Sequence, residues 1–396
     1  MAGWRTFRAL VPSAMAFPLR SRRDVVRALG ASAAALPLAG CGALGLVAPR
    51  PETSVEVSPR PPLVPPPTEP AEVMAVARDG RVRRIETRRP VVVPPRLPAG
   101  GTVGLVAPAG VLHSTGQVTE AVEALEGLGF RTKVGRHVLA RFGFLAGTDA
   151  ERARDLMAMI RDPEVDAVLA VRGGWGCARI LPLLDYDEIA ANPKPIVGYS
   201  DITALLLAVY ARAGLVTFHG PVGVSTWQGL TAESFVRTLV DGEPPAIGPE
   251  TRSNRDRTQT VRAGTAEGPV VGGNLTVISA LVGTGYLPEL DDHVVFFEEV
   301  GEDAYRIDRM LVQLQLGAGL PSAAGIAFGQ CSSCGSGGSS WTAEETIRRH
   351  LREYPCPSVQ GAPIGHVSPV YTLPIGLRAR LDADAGTLEY LRPPVA

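Results

Sequence analysis

From Thr102 onward, short apolar runs alternate with stretches of helical spacing, and that alternation limits the fold more than any other feature of the chain. Strand-like runs fall at Thr102–Ala107, Thr132–Val138, Asp166–Val171, Pro195–Tyr199 and Leu215–Phe218. Between them, Gln117–Leu128, Ala150–Ile160 and Ile202–Tyr210 carry apolar residues at helical intervals. Several of the strands are continuous apolar blocks rather than alternating ones, the pattern of strands covered on both faces of a parallel sheet. Crossovers in such sheets are right-handed, and their functional loops gather at the carboxyl ends of the strands. Arg172-Gly-Gly-Trp-Gly176 and Gly198-Tyr-Ser-Asp201 both fall at such ends. The expected fold class is therefore α/β. An N-terminal doubly wound parallel-sheet domain (Rossmann- or flavodoxin-like) spans 97–240, a polar crossing spans 241–265, and a smaller C-terminal α/β domain spans 266–393. In that second domain we expect a turn at Val271-Gly-Gly-Asn274, strands at His293–Glu298, Ala324–Phe328 and Pro363–Val367, and a helix from Tyr305. A hairpin of Arg378–Leu381 against Thr387–Leu391 closes it.

Composition narrows the function. Of the 396 residues, 45% are hydrophobic and 20% charged, which excludes global disorder, and a net charge of −1 without a basic block gives no nucleic-acid surface. Upstream of the folded part, residues 1–41 read as a twin-arginine lipoprotein signal. Arg22 and Arg23 precede a weakly apolar stretch, Ala28–Ala39, which is too short to span a bilayer, and Leu38-Ala-Gly-Cys41 resembles a lipobox with Cys41 lipidated. Residues 42–96, which include PRPETSVEVSPRPPLVPPPTE, read as an extended Pro-rich linker. These features describe an exported, periplasmic, membrane-anchored protein. Gly42 after the cysteine points to the outer membrane.

Cys331-Ser-Ser-Cys334 admits a redox pair, a local disulfide, or half of a zinc site with His350 and Cys356. His350 and Cys356 make a poor second pair, and Gly335-Ser-Gly-Gly-Ser339 follows rather than a helix, so the reading favoured is a loop with incidental cysteines. No HExxH or comparable cluster is present, and neither metal nor cofactor is expected.

Ser200 sits where a strand gives way to a helix. There the following amides point outward and the helix dipole favours negative charge. A serine nucleophile needs a base, an orienter for the base and donors for the oxyanion. The amide of Asp201 and one from the Gly173-Gly174 turn could supply the donors. A plain helix cap explains Ser200 equally well, and Gly198-Tyr-Ser-Asp-Ile202 lacks the last glycine of a nucleophile elbow. Of six histidines, His366 in Gly361-Ala-Pro-Ile-Gly-His366 and His219 in Phe218-His-Gly-Pro221 are the candidates for the base. Glu298 and Glu299 follow a buried strand, where one could orient an imidazole or cap the next helix.

RGGWGCARILPLLDY, KPIVGYSDITALL, FHGP, VVGGNLTVISALVGT, VVFFEEVGEDAYRIDRML and GAPIGHVSP occur in that order. Together they resemble the LD-carboxypeptidase (muramoyltetrapeptide carboxypeptidase) family, which includes the microcin C immunity peptidases; the likeness covers about residues 97–393. The resemblance implies a triad of Ser200, Glu298 and His366, with the backbone amides of Gly174 and Asp201 as oxyanion hole. It implies hydrolysis of a murein tetrapeptide with release of terminal D-alanine, without cofactor, by a homodimer. Trp175, His219, Glu302, Tyr305 and Arg306 are the expected substrate contacts. Trp175 stands where the family usually has Tyr or Phe, and the export signal departs from the family's cytoplasmic habit. Two other readings compete: a peptidase for peptidyl or aminoacyl nucleotides, and a non-catalytic murein-binding lipoprotein, which should have lost a triad member.

Overall fold

The computed structural model describes residues 89–248 and 258–396, together with the backbone of 73–76 and 82–85. The signal segment 1–41 with Cys41, and most of the linker 42–96, lie outside the described residues. Within that linker, β1 (Val73–Val76) and β2 (Val82–Ile85) pair antiparallel. The chain joins the packed body before Leu97. Val92 N–H donates to Gly214 O, Arg96 N–H to Ala396 O and Leu97 N–H to Leu239 O.

The first sheet has the order expected of a parallel crossover fold. Its parallel strands are β3 (Thr102–Val106), β4 (Arg131–Val134), β5 (Ala167–Ala170), β6 (Ile196–Gly198) and β7 (Thr217–His219). They are linked by α1 (Gly116–Gly127), α2 (Asp149–Arg161), α3 (Tyr186–Ala191) and α4 (Thr203–Ala213). Helix α2 begins at Thr148, where the hydroxyl accepts the Glu151 N–H and the Glu151 carboxylate accepts the Thr148 N–H, so two otherwise orphaned donors are satisfied reciprocally. Every residue of β3 and β5 is buried, as continuous apolar runs require. After α5 (Leu230–Val236) the chain passes to a second sheet.

That second sheet holds eight strands, in the order β8 (Ala246–Ile247), β16 (Thr387–Tyr390), β15 (Arg378–Asp382), β10 (Thr265–Asn274), β11 (Val294–Val300), β12 (Gly325–Ser332), β13 (Ser358–Gln360) and β9 (Gln259–Arg262). Strands β10 to β13 run parallel, and the others pair antiparallel. Helices α6 (Leu275–Ala280), α7 (Ala304–Gly317) and α8 (Ala343–Glu353) complete this half.

Four sequence expectations change here. The C-terminal region carries the larger sheet, eight strands against six. The crossing 241–265 supplies β8 and β9, the two edge strands of that sheet. Val271-Gly-Gly-Asn274 is no turn but the end of β10. A side chain at Gly272 would collide with the Phe296 carbonyl oxygen, so the glycines there serve close strand packing. Pro363–Val367 is irregular, and the strand lies earlier, at β13. The expected hairpin forms, β15 pairing antiparallel with β16 from Ala379 opposite Tyr390 to Asp382 opposite Thr387.

The two regions are tied together. Strand β14 (Leu373–Ile375) comes from the C-terminal region but pairs antiparallel with β7, extending the first sheet to six strands. Helix α4, buried from Thr203 through Val209, touches both sheets, and Thr203 Oγ1 accepts the Asn274 N–H at the end of β10 (3.1 Å). Among the described residues, no helix is long and apolar enough to cross a membrane.

Candidate active site

Strand β6 ends at Gly198, and Ser200–Ile202 forms one tight turn before α4. Ser200 has φ +62°, a left-handed conformation that costs a non-glycine residue about 1–3 kcal/mol and persists only where the surroundings enforce it. The helix-cap reading fails on this geometry. The residue before α4 is Ile202, the turn itself is preceded by Tyr199, and neither position has a side-chain cap. Gly173 explains how another loop reaches the hydroxyl: a Cβ there would lie 2.8 Å from Ser200 Cβ, 3.0 Å from its Oγ and 3.4 Å from Asp201 N. The Gly174 N–H donates to no protein group among the described residues, and the Asp201 N–H lies in the first turn of a helix, where amides lack helical acceptors.

The base and its orienter come from the other sheet. Glu298 near the end of β11 is wholly buried, and its Oε2 lies 2.6 Å from His366 Nδ1. The loop that carries His366 can pass so closely because Gly365, at φ +134°, has no side chain; a Cβ there would lie 3.0 Å from Glu298 Cβ. Ser332 Oγ donates to the His366 carbonyl (3.2 Å). The Tyr199 ring packs on the His366 ring with centroids 4.9 Å apart, which sets the imidazole over the residue preceding Ser200. Burial pulls the His366 pKa down, and the hydrogen bond and charge of Glu298 outweigh it, so the net shift is upward. Glu298 and His366 are thus brought together. The Ser200 hydroxyl makes no hydrogen bond among the described residues, a looseness common before substrate binds.

Adjacent groups have other jobs. Glu299 accepts from Asn274 Nδ2 (3.0 Å) and from both the N–H and Oγ1 of Thr276 (2.8 Å each), so it caps α6 rather than the following helix. Asn274 stands opposite Glu298 in the β10–β11 register. The route Ser200–Thr203–Asn274–Glu298 therefore joins nucleophile and acid across the two sheets. Asp201 has a buried carboxyl pushed up to about 6, chiefly by burial, although it accepts the Cys177 N–H (2.8 Å). Cys177 itself is no rival nucleophile, because burial pushes its thiol well above the ordinary range.

His219 is placed differently from its expected role. It is 1% exposed, closed in by Tyr199 and Phe296 (ring centroids 6.0 and 5.1 Å), and burial drives its pKa down to about 4. A ring so enclosed is neither a surface contact for substrate nor a base open to it. Glu302, Tyr305 and Arg306 cluster at the start of α7, beyond the end of β11; Arg306 Nε donates to Tyr305 Oη (3.0 Å), and Arg306 Nη1 lies 3.5 Å from Glu302. Trp175, beside Gly174, is 62% exposed. Two further His–carboxylate pairs stand elsewhere: His137, in the turn after β4, with Asp155 of α2, and His350 of α8 with Asp308 of α7.

Cys331 and Cys334 form a disulfide, which corrects the reading of incidental cysteines and leaves neither thiol for zinc. Among the described residues, no cluster of His, Cys, Asp or Glu is placed to hold a metal ion. Sequence reasoning missed Tyr199 and Arg152. Tyr199 was legible as the neighbour of Ser200 in GYSD; Arg152 stood out only as a charge on the apolar face of Ala150–Ile160.

Two family models match the chain: the LD-carboxypeptidase N-terminal domain over residues 103–220 and the LD-carboxypeptidase C-terminal domain over residues 267–381. A Bacillus subtilis protein named "Probable murein peptide carboxypeptidase" is 36% identical over 296 residues, 73% of this chain and 91% of that one. The murein tetrapeptide carboxypeptidase of Pseudomonas aeruginosa is 32% identical over 305 residues, 72% and 95% of the two chains. Among solved structures, the microcin C7 self-immunity protein MccF in complex with glutamyl sulfamoyl guanosine superposes with a TM-score of 0.71 at 26% identity, covering 77% of this chain and 99% of that one.

Proposed function

The chain belongs to the LD-carboxypeptidase family, a family of serine-type carboxypeptidases, and on that premise we propose that it releases terminal D-alanine from a murein tetrapeptide. The observation that carries this reading is the buried Glu298–His366 pair, packed through Tyr199 beside a serine held at positive φ. His366 accepts the Ser200 proton on Nε2, the ring nitrogen turned away from Glu298, as Oγ attacks the carbonyl of the L-centre of diaminopimelate. The tetrahedral oxyanion is met by the amides of Gly174 and Asp201. His366 then protonates the leaving amine, D-alanine departs, and a water activated by the same imidazole hydrolyses the acyl-enzyme. Glu298 holds the ring tautomer and stabilises the imidazolium without itself taking the proton.

Incubating the full chain with murein tetrapeptide should release D-alanine and leave a tripeptide, and Ser200→Ala should abolish this while the fold melts at a similar temperature. Turnover in Ser200→Ala comparable to wild type would end the serine mechanism. The likeness to a protein solved with a sulfamoyl nucleotide supports one rival substrate class, an aminoacyl or peptidyl nucleotide. A chain that cleaves such a nucleotide and spares the tetrapeptide would decide for it.

For location we propose a lipid-anchored, exported enzyme. Cys41→Ser should move the protein from the membrane fraction to the soluble one, and retention in the membrane fraction would refute the anchor.

A further inference from the structure

Resting on the reading of Ser200 as nucleophile, we propose that Arg152 and Asp201 are positioning residues that grip the Gly176–Cys177 peptide from its two edges. In doing so they hold the Gly174 oxyanion donor against the Ser200 turn.

Arg152 rises from α2 and is buried to 1% exposure. Its Nη1 donates to Gly176 O (2.8 Å) and also to Pro108 O, while Nη2 pairs with Asp149. On the other side, Asp201 Oδ2 accepts the Cys177 N–H at 2.8 Å. The carbonyl and the N–H so held belong to one peptide unit. A peptide is planar, so the loop's freedom lies in the φ and ψ on either side of it. Fixing both edges of the plane removes the rotation by which a loop containing Gly173, Gly174 and Gly176 would otherwise drift. The far end of the loop is also tied, since Gly110 N–H donates to Gly173 O (3.2 Å) and Gly110 stands two residues after the Pro108 carbonyl that Arg152 holds.

Stability alone is a weak reason for these groups. Burying a guanidinium and a carboxylate is costly, and well-packed apolar side chains often serve as well or better. What apolar side chains cannot do is hold a peptide plane by hydrogen bonds to its carbonyl and its N–H in a low-dielectric interior. The carboxylate, moreover, belongs to the residue directly after the nucleophile, so one residue offers its amide to the oxyanion and its side chain to the facing loop. Each half of the hole is thereby referenced to the other.

The test uses the full chain with two probes: murein tetrapeptide for turnover, and an N-acylaminomethyl boronic acid for the hole. Ser200 Oγ bonds to boron, its proton passes to His366, and a tetrahedral anion forms where the oxyanion would sit. Asp201→Ala should lower kcat about 100-fold with KM within about threefold, because a misplacement near 1 Å costs that much. Boronate affinity should fall in parallel, and inhibition by the tripeptide product should stay within about threefold. Asp201→Asn, whose Oδ1 still accepts the Cys177 N–H, should recover most of both losses. If Asp201→Ala does not fold, Arg152→Lys reads the other edge and should show the same split between kcat and KM.

A folded Asp201→Ala with wild-type kcat overturns the proposal. So does an Asp201→Asn as damaged as the alanine, which would assign the loss to charge, and so does a uniform loss of tripeptide binding with turnover. A wild type that captures boronate but spares the tetrapeptide sinks the substrate reading alone, and the clamp is then judged on boronate. A wild type that captures none overturns both.

Discussion

Gly173→Ala tests the site at the contact that defines it. Gly173 does not occupy the left-handed region, so alanine there adds no backbone strain, and the whole effect is the new methyl. That methyl would lie 2.8 Å from Ser200 Cβ and 3.0 Å from Oγ, against 3.4–4 Å for an ordinary contact. Ser200 Cβ is fixed to the backbone and cannot swing away, so the two turns must part by about 1 Å. A displacement of that size at reacting groups costs about 100-fold in rate, or about 2.7 kcal/mol of barrier. Overpacking of this kind also costs stability, about 1–3 kcal/mol. Steady-state kinetics on the tetrapeptide should show the loss mainly in kcat, and calorimetry should show a folded protein with a modestly lower Tm. A Gly173→Ala enzyme within threefold of wild-type kcat would refute the claim that this loop forms the oxyanion hole.

The acid limb of the kcat profile should have its midpoint above 6.5, because Glu298 raises His366 and only the neutral imidazole is a base. Glu298→Gln should shift that limb to lower pH and cut kcat, by as much as about 10⁴-fold if it behaves as the orienting acid does in another serine triad; an unmoved limb would detach Glu298 from His366. His219 has a folded pKa near 4 against 6.5 for the free group, so between those values the unfolded state takes up a proton that the folded state refuses. Its contribution is present above pH 6.5 and is lost as pH falls toward 4, by about 3 kcal/mol at most. His219→Phe should therefore flatten the fall in Tm over that window, and an unchanged acid sensitivity would contradict the buried neutral ring. Thr203→Val removes the acceptor of the buried Asn274 N–H and should cost about 1–3 kcal/mol in chemical denaturation; no loss would show that this link between the sheets carries no weight.

Much of the site was legible in one dimension because strand ends are local facts. Apolar blocks placed β5, β6 and β11, and glycines or polar residues at their ends marked Gly173, Ser200 and Glu298. Reading failed where glycine had two meanings. In Val271-Gly-Gly-Asn274, local chemistry favours a turn, and only the approach of Phe296 from another strand makes it the end of β10. The disulfide was missed for a similar reason, since spacing alone does not say what Cys331 and Cys334 face.

Sequence by itself determined that this chain forms parallel α/β layers and that a serine ends one strand and a glutamate lies near the end of another, because periodicity and turn chemistry depend on near neighbours. Which histidine meets that glutamate was a tertiary decision. His219 and His366 both follow apolar runs, but β7 lies inside the first sheet, where Tyr199 and Phe296 enclose His219. The loop after β13 instead passes over Glu298 through a glycine with no side chain to block it. Contacts between residues 68 apart, such as Glu298 and His366, depend on how the sheets stack, and no local pattern encodes that distance.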